Sequence, residues 1–198
     1  MKGLLYADIY STILPLLNPH TQSNLTSFNK KFHYLFKSYQ KRNQDFVKES
    51  SYFGLLIPSL FFINTKNEVT WALWYAAKGG QLKLCYILID LGANHFNWAL
   101  RFAAEGGHLK LCTILIRSGA NHFDWALADA ARGGHLNLCS FFIRQHGAVS
   151  FNDALVKASY GGYIDICKYM ISCGATHINW ALNFTNDEET KKFLRNAL

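Results

Sequence analysis

Acidic residues are scarce in this chain: 13 Asp and Glu stand against 20 Lys and Arg over 198 residues. They are also scattered, and cluster only at Asp187-Glu188-Glu189. No Ser-His-Asp arrangement is visible. The double glycines lack the lysine and following Ser or Thr of a phosphate-binding loop. No window reaches the ~18 consecutive apolar residues that a membrane span requires. The opening "MKGLLYADIYSTILPLL" has a short apolar run, but Asp8 interrupts it and no small-residue cleavage site follows, so no secretory signal is expected. These absences argue against an enzyme, against a cofactor and against membrane insertion.

Paired cysteines are missing too. Four of the five thiols, Cys85, Cys112, Cys139 and Cys167, are spaced by 27, 27 and 28 residues, with no CxxC pair. A disulfide framework clusters its cysteines differently, so a reduced, intracellular protein is expected, cytoplasmic or nuclear. The formal charge of +7 is spread along the chain, which suits solubility better than nucleic-acid binding. The stretch "KKFHYLFKSYQKRNQDFVK" interleaves basic and aromatic residues, but reads more simply as a solvated helix face than as a nucleic-acid surface.

What the chain does have is a repeat. Ala72-Leu73, Ala99-Leu100, Ala126-Leu127, Ala154-Leu155 and Ala181-Leu182 keep one period. So do the double glycines beginning at Gly79, Gly106, Gly133 and Gly161, and the Gly-Ala pairs at Gly92, Gly119, Gly147 and Gly174. A fixed period of this size signals a stacked solenoid. Each unit reads as two helices. Thr70, Asn97, Asp124, Asn152 and Asn179 stand where an N-cap belongs, ahead of a short first helix such as "WALRFAAE". The double glycine turns the chain. The second helix, "HLKLCTILIRS", is apolar around most of its circumference through Leu109, Leu111, Cys112, Ile114, Leu115 and Ile116, which predicts burial between neighbours. Gly119 is expected as a left-handed C-terminal cap. One step is 28 residues, its extra residue lying in "FFIRQHGA".

The stretch "WALRFAAEGGHLKLCTILIRSGAN" resembles the ankyrin repeat, with Leu100, Ala103, Ala104, Gly107, His108, Leu109, Gly119 and Ala120 on matching positions. Ankyrin repeats are about 33 residues long. The shortfall falls between Gly119 and Trp125, where the β-hairpin finger is normally built. The fold expected is therefore all-α: a helical-repeat solenoid without β-hairpin fingers, preceded by a small helical N-terminal segment. Short repeats of this kind are similar to those of large DNA viruses and some protists. The repeat domain is expected over 51–198, with a degenerate first copy at 53–70, full copies from 71 and a polar closing cap at 180–198 that lays Phe193, Leu194, Ala197 and Leu198 against the stack.

Residues 1–50 do not repeat. Leu5, Asp8, Ile9, Ile13, Leu14, Leu17, Pro19, Leu25, Phe28, Lys30, Phe32 and Leu35 fall on the positions of the F-box, which this segment resembles. Tyr6 departs from the usual proline, and Thr21-Gln22 from the usual Asp-Leu pair. The resemblance implies a contact with a Skp-type adaptor of cullin ubiquitin ligases through Leu5, Ile9, Ile13, Leu17, Leu25, Phe28 and Lys30. A helical cap on the solenoid is the alternative.

Histidines recur at His95, His122 and His177, and again at His108 and His135. Equivalent residues of neighbouring repeats lie roughly one helix-packing distance, 8–10 Å, apart. Zinc needs its ligands within about 2.0–2.3 Å, so a shared metal is not expected. Loop hydrogen bonding is the expected role. The tryptophans Trp71, Trp98, Trp125 and Trp180 are expected to pack against the next unit, with Asp153 breaking their row. Positions that vary between repeats are free for a partner. The columns run Trp74, Arg101, Ala128, Val156, Asn183; then Tyr75, Phe102, Asp129, Lys157, Phe184; then Lys78, Glu105, Arg132, Tyr160, Asp187. In ankyrin arrays the first helices line a concave, protein-binding face. The resemblance thus implies a protein target held by Trp74, Tyr75, Arg101, Phe102, Asp129, Arg132, Lys157 and Tyr160.

Overall fold

The computed structural model describes Ser51 and residues 66–198. The F-box-like positions Leu5, Ile9, Ile13, Leu17, Leu25, Phe28 and Lys30, the whole of 1–50 and most of the degenerate copy lie outside the described residues.

Among the described residues ten helices follow one another: α1 Lys66–Lys78, α2 Leu82–Asp90, α3 Phe96–Glu105, α4 Leu109–Arg117, α5 Phe123–Arg132, α6 Leu136–His146, α7 Phe151–Tyr160, α8 Ile164–Ser172, α9 Ile178–Phe184 and α10 Glu188–Asn196. No strand occurs among the described residues. Only four or five residues, such as Ser118 to His122, separate one unit's second helix from the next unit's first, too few for a paired finger. The first helices α1, α3, α5, α7 and α9 stack on one another, and each second helix packs on the first helix of its own unit.

The first helices approach closely because their facing side chains are alanines. Ala72, Ala76 and Ala77, then Ala99, Ala103 and Ala104, then Ala126, Ala130 and Ala131 are buried. In α7 the series ends with Ser159, whose hydroxyl is satisfied by donating to the carbonyls of Val156 (2.8 Å) and Ala181 (3.0 Å). Leu73, Leu100, Leu127 and Leu155 fill the seam between layers. Each such leucine contributes roughly 2 kcal/mol of burial. The second helices present Leu84, Leu111, Leu138 and Ile166, then the four cysteines, then Leu88, Leu115, Phe142 and Met170.

The second helices are not enclosed on all sides. Leu109 is 46% exposed, while Leu111, Cys112 and Leu115 are buried. Among the described residues the stack has two layers, and none of them covers the outer side of α4. The closing cap is likewise only partly as expected. Leu194 is buried and Phe193 packs on the core, but Leu198 is 67% exposed. Asp187 caps α10, its carboxylate accepting from the Thr190 backbone N–H and hydroxyl, each at 2.7 Å.

The cysteines are unpaired, and Cys85, Cys112, Cys139 and Cys167 are buried, as the spacing predicts. Burial pushes each of these thiols up to about 12.

Candidate functional site

Two seams hold each unit to the next, and the side chains that make them differ from the sequence expectation. Asn97 is not the N-cap of α3, since that helix already begins at Phe96. Its Oδ1 instead accepts the backbone N–H groups of Asn121 (2.7 Å) and His122 (3.1 Å) in the following unit's loop. Asp124 does the same for Val149 (2.6 Å) and Ser150 (2.9 Å), and Asn152 for Thr176 (2.7 Å) and His177 (3.0 Å). The first-turn polar residue thus caps its neighbour's loop rather than its own helix.

The second seam runs the other way. His108 follows the double glycine of its unit and sends Nε2 back to the Lys78 carbonyl oxygen at 2.9 Å. His135 reaches the Glu105 carbonyl oxygen at 3.0 Å. These carbonyls lie at the C-terminal ends of α1 and α3, where intrahelical donors run out. The ring lies so close to the glycines that a Cβ on Gly106 would stand 2.7 Å from His108 Cδ2 and would also run into the Lys78 carbonyl. Gly107 additionally has φ +83. Tyr163 takes over from histidine in the next unit, its ring against Gly134 and Gly161.

With the stack held this way, the varying columns fall on adjacent first helices. Their charges meet each other. Arg101 Nε lies 2.7 Å from Asp129 Oδ2, and Lys157 Nζ 3.0 Å from Asp129 Oδ1. Asp129 is only 5% exposed, so it is neutralised from both sides. Lys78 and Arg132 both bind Glu105 Oε1, the former at 3.0 Å. Burial pushes the Glu105 carboxyl up, but the hydrogen bonds and charges of Arg132 and Lys78 outweigh it and hold the group below its usual value. The hydrogen bond to Glu105 in turn raises the Arg132 guanidinium. Trp74, Tyr75 and Phe102 gather at one end, with Trp74 stacked on Phe102 at 6.2 Å and Tyr75 tilted against it at 5.4 Å. Tyr160 is 67% exposed.

The tryptophan row is where the structure adds most. Within the row, Trp98 reaches Trp125 with centroids 6.4 Å apart, and Trp98 also meets Trp74, of the first varying column, at 5.6 Å. They are not buried by it: Trp98 is 41% exposed, Trp125 50% and Trp180 64%. A signal for this is present in the sequence. Trp98, Arg101 and Glu105 share one helical face (i, i+3, i+7), and two of the three are charged. The core stripe of the same helix is Ala99, Leu100, Ala103 and Ala104. Where Asp153 interrupts the row, an open cleft of about 520 Å³ lies between Trp125 and Trp180. Among the described residues, no group of three or more His, Cys, Asp or Glu side chains is placed to hold a metal ion.

Residues 100–180 match the family model for ankyrin repeats, in three copies. Over this stretch the chain is similar to ankyrin repeats. Among solved structures the chain is similar to the human ASB11 ankyrin repeat domain, at 19% identity and a TM-score of 0.53, over 76% of this chain and 82% of that one. No curated protein matches the chain. The fold is thus that of an ankyrin stack. Against the 33-residue ankyrin period, these units have lost the finger and kept the two helices, the glycine junction and the histidine.

Proposed function

We propose that the chain recognises a protein target with the face of its first helices, without catalysis of its own. The observation that carries this reading is the exposed aromatic row of Trp98, Trp125, Trp180 and Phe184, the last 52% exposed. Large aromatic side chains left in solvent on one face cost free energy in the unbound protein, and aromatic residues are enriched where proteins meet. The ion pairs of Asp129 and Glu105 hold the charged columns in fixed positions beside that row. A benzophenone amino acid placed at position 125 or 180 should cross-link a protein in the native cell. The same group at Tyr86, 49% exposed on α2, should not. Adducts formed from position 86 alone, or from none of the three, reject this face.

The finer reading couples the target to ubiquitin transfer. Its support is the F-box-like order of Leu5, Ile9, Ile13, Leu17, Leu25, Phe28 and Lys30. In this reading the N-terminal segment docks a Skp-type adaptor, and the repeats present the target. The protein works in a reducing compartment, the cytoplasm or nucleus, and in a host cell if the chain is viral. The row of unpaired buried thiols supports that location. Capture of a Skp-type adaptor by the wild type, lost on combining Ile9→Asp with Leu17→Asp while the repeats keep their melting curve, is the expected result. A wild type that captures no adaptor leaves the scaffolding reading, in which the segment only caps the stack.

A further inference from the structure

The break in the tryptophan row has a chemistry of its own. Elsewhere in the row, Arg101 places its guanidinium 4.4 Å from the Trp98 ring and 5.0 Å from the Trp125 ring, and pairs with a carboxylate, Asp129. Two indoles and a carboxylate thus already hold one arginine on this surface. The next gap offers the same groups without the arginine. Trp125 and Trp180 line it, and Asp153 stands where the intervening indole would be. The positions equivalent to Arg101 are Ala128 and Val156, both short and apolar. The result is the cleft of about 520 Å³, floored by Ala128 and Val156.

The charges in the cleft are not equivalent. Arg101 and Lys157 also line it, but both are drawn back onto the buried Asp129. Asp153 is exposed and has no ion pair or hydrogen bond to another described side chain. An incoming acid would compete with Asp129 for its two cations. An incoming guanidinium meets an unpaired carboxylate and aromatic faces, the combination that favours arginine.

We infer that this gap receives an arginine side chain of the target protein. Its stem lies across Ala128 and Val156, and its guanidinium pairs with Asp153 against the flanking indoles. The inference rests on the first-helix face being the binding face, and adds the class of side chain that it reads.

The test uses the full chain and a capped Gly-Arg-Gly tripeptide, followed through the indole N–H resonances of Trp125 and Trp180. Capped Gly-Cit-Gly, with neutral citrulline, Gly-Lys-Gly and Gly-Glu-Gly are run beside it. The arginine peptide should move at least one of the two resonances, and bind at least fivefold more tightly than the other three. Asp153→Asn should weaken it by about five- to tenfold, as loss of a charge-assisted pair does. Val156→Arg, which supplies the guanidinium from within, should block it. Both positions are solvent-accessible, and a circular-dichroism melt verifies that the variants remain folded. No movement at either indole, equal binding of citrulline, lysine or glutamate, or unchanged binding in Asp153→Asn overturns the inference. The cross-linking at positions 125 and 180 involves no arginine peptide. Adducts there with a failed titration reject the arginine alone, whereas absent adducts reject the face itself.

Discussion

Replacing Gly106 by alanine separates two reasons for a double glycine. Gly106 has φ −79, a value that any residue adopts, so backbone strain predicts little effect. Packing predicts a large one. An added Cβ would meet the Lys78 carbonyl oxygen and stand 2.7 Å from His108 Cδ2, and the carbonyl belongs to a helix end that cannot swing aside. To make room, the His108 ring must leave the Lys78 oxygen, now 2.9 Å away, at a loss of about 1 kcal/mol. Forcing the two units apart adds an overpacking cost of about 1–3 kcal/mol. The sum is roughly 2–4 kcal/mol. Gly119 is the comparison. Its φ is +105, but nothing lies within 4 Å of a Cβ placed there. Gly119→Ala therefore incurs only left-handed strain, about 1–2 kcal/mol. Urea unfolding of the two variants, followed by circular dichroism, should rank Gly106→Ala as the more damaging although its backbone is the more ordinary. The opposite ranking would refute the claim that close approach of the neighbouring unit dictates the first glycine of the pair.

Cys112→Ser should cost roughly 1–3 kcal/mol, because a hydroxyl replaces a fully buried thiol. In the native protein, Cys85, Cys112, Cys139 and Cys167 should label far more slowly than the half-buried Cys173, and equal rates would count against it. Asn97→Ala should cost about 1 kcal/mol, as loss of a helix cap does, and should raise hydrogen exchange at Asn121 and His122 rather than within α3. Glu105→Gln should cost about 1 kcal/mol near neutral pH, since Lys78 and Arg132 are both partly exposed. The folded Glu105 carboxyl lies below its unfolded value, so its contribution is complete above the ordinary carboxylate range and fades as the pH falls through the folded value. The gap between wild type and variant should accordingly close in acid; a gap that persists there would show that the charge is not responsible.

The period, the glycine junctions, the buried thiols and the absence of fingers could all be read from the chain, because each depends on one residue type recurring in register. Asn97 was misleading for a geometric reason. An asparagine in the first turn reads as a cap for the helix it opens, yet α3 starts one residue earlier and turns that side chain toward the next loop. Leu109 was misleading because apolar content around a helix does not tell two layers from three. Its 46% exposure reflects the two layers that the described residues form. Arg101, Asp129 and Lys157 belong to two separate columns, and only their placement on adjacent helices shows that they neutralise one another. The exposure of Trp98 lay in its helical face, where charged Arg101 and Glu105 outweigh the residue's own hydrophobicity.

The two seams point in opposite directions along the chain: Asn97 reaches forward into the following loop, and His108 reaches back to the preceding helix end. A second copy of residues 94–120, inserted after Ala120, would find a waiting carbonyl on one side and a waiting pair of amide groups on the other. A gene encoding such an array can therefore gain or lose whole 27-residue segments by unequal recombination without any compensating change in the flanking sequence. Heredity then has a simple dial. Every in-frame duplication would lengthen the exposed aromatic strip by one tryptophan, and a smaller residue at the tryptophan's position, as Asp153 is, leaves a cleft in it.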